Sequence, residues 1–209
     1  MKFKKCIQLI TIASLCLLIT ACAGKTDKKT KSKNLDDSSL SLHKTAEAEH
    51  QDKRFAFEKI KVAKVEQEFK GGTSLEELKE LFGQPTSHEQ KPAGNVKLDN
   101  YTWHFDHVVI KANLFENSTI VKSISNFAFS RKMKISLKDY NKLEKGMSYN
   151  QVVKILTEPD DYTEASSSDN VQLQAIWISG IKTRVQGANI NLIFKNDKLV
   201  ELSQKGLIK

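Results

Sequence analysis

Gly72-Thr73-Ser74-Leu75-Glu76-Glu77-Leu78-Lys79-Glu80-Leu81-Phe82-Gly83-Gln84-Pro85 returns 74 residues later as Gly146-Met147-Ser148-Tyr149-Asn150-Gln151-Val152-Val153-Lys154-Ile155-Leu156-Thr157-Glu158-Pro159. Trp103 maps onto Trp177 at the same offset, in a chain with only two tryptophans and three prolines. A correspondence of this kind is weighed before any motif, because a missed repeat mis-assigns the whole fold. In each stretch a serine precedes an apolar period of three and four, with Glu77 or Gln151 three residues on, which is the signature of a capping box. Each predicted helix ends at a proline. Period two then takes over: Tyr101, Trp103 and Phe105 alternate with Thr102 and His104, and Ile190, Leu192 and Phe194 alternate with Asn191 and Ile193. Asn117-Ser118 and Asn196-Asp197 fall where tight hairpin turns are required.

Working outward, a short helical turn is expected before each stretch, over residues 57–62 and 137–144. The expected fold class is α+β: two tandem repeats, each helix–helix plus a four-stranded antiparallel sheet, over residues 54–130 and 131–209. The helices should cover one sheet face and leave the other to solvent or a partner. Trp103 and Trp177 read as core residues of equivalent strands. Residues of opposite parity, Thr102 and His104 in one half and Ile176 and Ile178 in the other, belong to the open face. The two isoleucines are the foremost partner-binding candidates, because an exposed apolar strand face calls for a partner.

The unit has the form aromatic-x-x-Ile-x-x-Gly-Met-Ser/Thr-x-x-x-Val, then Gly-x-Pro or a variant, then a strand with a tryptophan. Its carriers are Phe57, Ile60, Gly72, Thr73, Ser74 and Leu78, and again Tyr140, Leu143, Gly146, Met147, Ser148 and Val152. In this it resembles the repeat of β-lactamase inhibitory protein and the small SmpA/OmlA (BamE-like) envelope lipoproteins, over residues 54–207. The tandem arrangement favours the former. That resemblance implies two units joined into one extended concave sheet that binds protein and does no catalysis. It also implies that Asp106 falls where such an inhibitor presents an aspartate to its target. The surrounding aromatic set is not reproduced in His107-Val108-Val109, and the disulfides that staple that family have no cysteines here.

The three cysteines, Cys6, Cys16 and Cys22, all lie in the first 22 residues. A disulfide framework, a thiolate metal site and a cysteine nucleophile in the body are thereby excluded. Lys2, Lys4 and Lys5 precede an apolar run ending at Leu18-Ile19-Thr20-Ala21-Cys22, as in a signal peptide. The ending resembles the lipobox of bacterial lipoprotein precursors. It implies loss of residues 1–21, a diacylglycerol on Cys22 and a place on the extracytoplasmic side of the cell membrane. Residues 22–53 read as a basic, polar tether, whose lysines suit an anionic membrane surface. Export makes nucleic acid a poor partner for the net charge of +8. Arginine occurs only at Arg54, Arg131 and Arg184, a lysine bias that with the lipobox points to a low-GC Gram-positive source.

No nucleophile elbow, zincin helix, phosphate loop or dinucleotide fingerprint is present. His104-Phe105-Asp106-His107 is the one cluster with metal-ligating side chains. On a strand His104 and Asp106 share a face and His107 turns away, so no metal, cofactor or catalytic residue is assigned. The expected protein is therefore a monomeric, lipid-anchored, non-enzymatic module that binds another envelope or secreted protein. One alternative is an inhibitor of a secreted or envelope hydrolase. The other is a metal-dependent envelope enzyme using His104, Asp106 and His107.

Overall fold

The computed structural model describes residues 49–129, 134–181, 185 and 187–208. The leader, Cys22 and the tether up to residue 48 lie outside them. Four α-helices are present among the described residues: α1 (Gln51–Glu58), α2 (Leu75–Phe82), α3 (Leu137–Tyr140) and α4 (Tyr149–Leu156). Strands dominate: β1 (Ser87–Ala93), β2 (Val96–Phe105), β3 (Val108–Phe115), β4 (Ser118–Ser125), β5 (Asp161–Ser166), β6 (Val171–Ile178), β7 (Asn189–Lys195) and β8 (Lys198–Lys205).

All eight strands form one antiparallel sheet in chain order. This overturns the expected fold class of two tandem helix–helix-plus-four-strand repeats. The fold is mostly β, and among the described residues no helix exceeds eight residues. The decisive pairing is β4 with β5, through Val121↔Ala165, Lys122↔Glu164, Ser123↔Thr163 and Ile124↔Tyr162. A free-standing four-stranded sheet would leave the outer edge of β4 with unpaired amides and carbonyls. Direct pairing removes that edge.

The expected helical turns also need correction. Residue 58 ends α1, and the chain beyond it is drawn out against its neighbours. Lys61 N donates to Thr73 Oγ1 at 2.8 Å, Thr73 N to Lys61 O at 3.0 Å, and Ala63 N to Thr119 O at 2.8 Å. These long-range partners, absent from any local propensity, win over a second turn. Similarly α3 stops at Tyr140, short of residue 144.

α1 starts at Gln51, ahead of the expected residue 57, whereas α2 and α4 start where the sequence places them. Ser74 and Ser148 complete capping boxes with Glu77 and Gln151. A second tie fixes each start: Leu75 N donates to Asn117 Oδ1 at 3.0 Å and Tyr149 N to Asp197 Oδ1 at 2.9 Å. The hairpin-turn residues thus hold the helices onto the sheet. Beside a smaller one of Ala63, Leu98 and Ile120, two large apolar cores result. One gathers Phe57, Leu78, Trp103, Ile110 and Ile124, and the other Val152, Leu156, Trp177, Ile190 and Leu192. Both tryptophans are buried, and each indole N–H is satisfied at 2.9 Å, Trp103 by Gly83 O and Trp177 by Thr157 O. Tyr162 packs against both cores.

Gly72 sits where chain crosses chain. A Cβ there would lie 2.3 Å from Thr119 O and 2.7 Å from Thr119 N, so the backbone of β4 would have to move. Gly72→Ala is expected to destabilise the fold by about 1–3 kcal/mol, the cost of overpacking, read as a lowered urea midpoint with unchanged m value. Gly83→Ala meets no atom within 4 Å and serves as the contrast, since only its φ of +80° opposes it.

Candidate functional site

Side chains alternate across a strand, so burial of Trp103, Ile110, Trp177 and Ile190 beneath the helices sends their neighbours to the opposite face. A cross-strand row on that face runs Thr102–Lys111–Ser123–Thr163–Gln174–Ile193 without a break at the junction of β4 and β5. The face is polar with scattered apolar residues. Ile176 lies on it between Asp161 and Asn191, and Ile178 beside Asn189 is 37% exposed. The amide of Ile178 donates to Asp160 Oδ2 at 2.6 Å, which fixes the backbone that presents the side chain.

His104 is exposed on β2 and shares the open face. Four strand spacings separate it from Ile176, on the order of 19 Å. The four candidates therefore do not form one cluster. Asp106 leaves the sheet in the β2–β3 turn with φ +52°, and its carboxylate lies 2.7 Å from His50 Nε2. His107 lies 3.7 Å from Glu49. Among the described residues no three His, Cys, Asp or Glu side chains are placed to share a metal ion. His104, Asp106 and His107 are not drawn together.

A second cluster is one that the sequence pattern does not single out. On the helix side, between the two cores, Arg54, Phe57 and Glu58 of α1 face Lys122 of β4, Tyr149 of α4, Glu158 and Tyr162 of β5 around a cavity of about 200 Å³. The Arg54 side chain is 1% exposed and donates to Glu58 Oε1 at 2.9 Å and to Pro159 O at 3.4 Å, with Glu158 3.8 Å away. Lys122 donates to Ile60 O at 2.8 Å, lies 3.6 Å from Glu164, and stands over the rings of Phe57 and Tyr162. Burial pushes the Lys122 ammonium below the usual lysine range, against the opposing pull of Glu164. Burial, then the adjacent Glu158 or Glu164, pushes the Tyr149 and Tyr162 phenols up. Both phenols stay neutral and donate to those carboxylates, at 3.0 and 2.8 Å.

One signal for this cluster was available. Ile120, Lys122 and Ile124 share a strand parity, so a lysine stood in a core-facing register. Arg54 gave none beyond its rarity.

Residues 49–207 match the model of a family described as a domain of unknown function with a solved structure, DUF3862. A crystal structure of a Streptococcus mutans protein, described as a candidate β-lactamase inhibitor, superposes with a TM-score of 0.72. The two sequences are 48% identical, over 77% of this chain and 99% of that one. No curated protein matches the sequence.

Asp161, beside Ile176, offers a test of the face's chemistry. Its Oδ1 is buried without a hydrogen-bond partner. Burial and then the neighbouring Asp160 raise its carboxyl to about 6, against a backbone hydrogen bond from Asn126 that lowers it. A raised carboxyl binds its proton more tightly in the native state. Its contribution is therefore fully present below the unfolded value of 3.8 and is lost as pH rises through about 6. Asp161→Asn should remove that slope and gain about 1–3 kcal/mol over the parent at neutral pH. Urea unfolding on either side of that window checks it; an advantage equal at both pH values would refute the assignment.

Proposed function

The chain belongs to the DUF3862 family, and from that premise we propose a non-enzymatic protein-binding module of the inhibitor type. Its open sheet face docks onto a secreted or envelope hydrolase. The observation that carries this reading is the 48% identity, over nearly all of its length, to the Streptococcus mutans protein described as a candidate β-lactamase inhibitor. The geometry is compatible with it. The helices and the two large cores occupy one side of the sheet, so beyond the small core around Leu98 the other side presents its row of polar residues with Ile176 and Ile178 among them.

Non-obligate interfaces are about as polar as ordinary surface, with a few apolar anchors carrying much of the affinity. Ile176 and Ile178 suit the role of anchors. Asp106 contributes less in this arrangement, because His50 already engages its carboxylate. The proposal includes membrane attachment through a diacylglycerol on Cys22, which rests on the lysine-flanked apolar leader and the Leu18-Ile19-Thr20-Ala21-Cys22 ending.

The test is a titration of a serine β-lactamase with the purified protein, following hydrolysis of a chromogenic cephalosporin. Dose-dependent loss of activity is expected. The double change Ile176→Lys and Ile178→Lys should weaken it at least tenfold, or ~1.4 kcal/mol. Inhibition untouched by that change would refute the face; no inhibition of any secreted hydrolase offered would refute the inhibitor reading. Separately, Cys22→Ala should move the protein from the membrane fraction to the medium, and retention at the membrane would refute the anchor.

A further inference from the structure

The cavity between α1, α4 and β5 carries an ordered set of charges. Its deep wall holds two cations, Arg54 at 1% and Lys122 at 9% side-chain exposure, with Glu164 3.6 Å from Lys122 and the Arg54 guanidinium reaching Glu58 at 2.9 Å and Glu158 at 3.8 Å. Its mouth holds two carboxylates, Glu58 at 45% and Glu158 at 42%. Phe57, Tyr149 and Tyr162 line the space between. One of the five guanidinium donors, Arg54 Nε, is buried with no acceptor. A buried donor without an acceptor is unfavourable, so an acceptor brought against it gains a charge-assisted hydrogen bond.

A simple anion matches the inner wall but must pass the two carboxylates. A simple cation matches the mouth but meets Lys122 and Arg54 behind it. A molecule with its negative group leading and its positive group trailing satisfies both ends. The volume sets the size. An apolar cavity of about 150 Å³ accepts a benzene molecule, and this one is about 200 Å³, which suits a free amino acid.

We propose that this cleft binds a small zwitterion of the α-amino acid class, carboxylate inward toward Arg54 and Lys122, ammonium outward between Glu58 and Glu158. The aromatic lining favours a small apolar side chain. The cleft lies on the helix side of the sheet, so the proposal stands apart from the inhibitor reading, and the two fail independently.

The experiment is calorimetric titration of the purified protein with L-alanine, with acetate and with methylamine, each at one ionic strength. L-alanine should bind in the millimolar range, and acetate and methylamine at least tenfold more weakly. Glu158→Gln keeps an acceptor for the Tyr149 hydroxyl and lies at the exposed mouth. It should keep the parent's melting temperature and weaken L-alanine about tenfold. Lys122→Met should abolish binding; where it fails to fold, Glu158→Gln carries the test. Acetate binding as tightly as L-alanine, no binding of L-alanine, or an unchanged affinity in Glu158→Gln would each overturn the proposal.

Discussion

Arg54 is where the two halves of the sheet are tied on their helix side. Its guanidinium, sealed from solvent, bonds Glu58 on its own helix and Pro159 O on the far side, 105 residues along the chain. A buried charge of this kind is a poor source of net stability, because desolvation offsets much of the attraction. What it supplies is position. With Arg54 in place, Glu158 and Pro159 at the end of α4 are held against α1, and the rings of Phe57 and Phe129 pack on the guanidinium plane. Without it the two apolar cores meet only through Tyr162.

The same constraint explains why the sheet bends its chemistry at one line. β4 and β5 pair over four residue pairs, fewer than any other neighbours in the sheet. Beneath that short ladder lies the polar cluster of Lys122, Glu164 and Tyr162, where elsewhere there is apolar side chain. Lys122 is lodged there by Ile60 O and by two aromatic faces. Each of these partners is supplied by a different element, which is why the seam exists only in the folded chain.

That distinction accounts for what the sequence let be seen. Capping boxes, hairpin turns and the indoles' burial depend on neighbours within a few residues or on strand parity, and Ser74, Ser148, Asn117, Trp103 and Trp177 announced them. The open-face parity of Ile176 and Ile178 was readable on the same grounds. The single eight-stranded sheet was not fixed by any local signal, because β4 and β5 are joined by a pairing between residues about 40 apart. The extended run after α1 is illegible for a like reason: Lys61 falls within the expected helical turn, yet Thr73 claims its backbone, and Thr119 that of Ala63. Arg54 and its cavity were the least legible, since a charge buried by three separate elements leaves no periodic trace.

The division between the faces has a physical consequence for binding. Among the described residues there is no cysteine, so the body is held by packing, hydrogen bonds and the seam alone. All of the large buried side chains, Trp103, Trp177, Phe57, Phe127 and Phe194 among them, lie on the helix side or at its margin. Away from Leu98, which packs with Phe115 and Ile120 in a smaller third core, substitution on the open face disturbs little buried apolar surface, and most surface changes alter stability by a few tenths of a kcal/mol. Such a face can accumulate partner-specific residues while the fold stays constant. The exception is Asp161, whose buried carboxylate couples the open face to the interior. A partner that covered Ile176 would deepen that burial and raise the carboxyl further. Docking across this part of β5 and β6 should then take up a proton, so it strengthens as the pH falls through about 6.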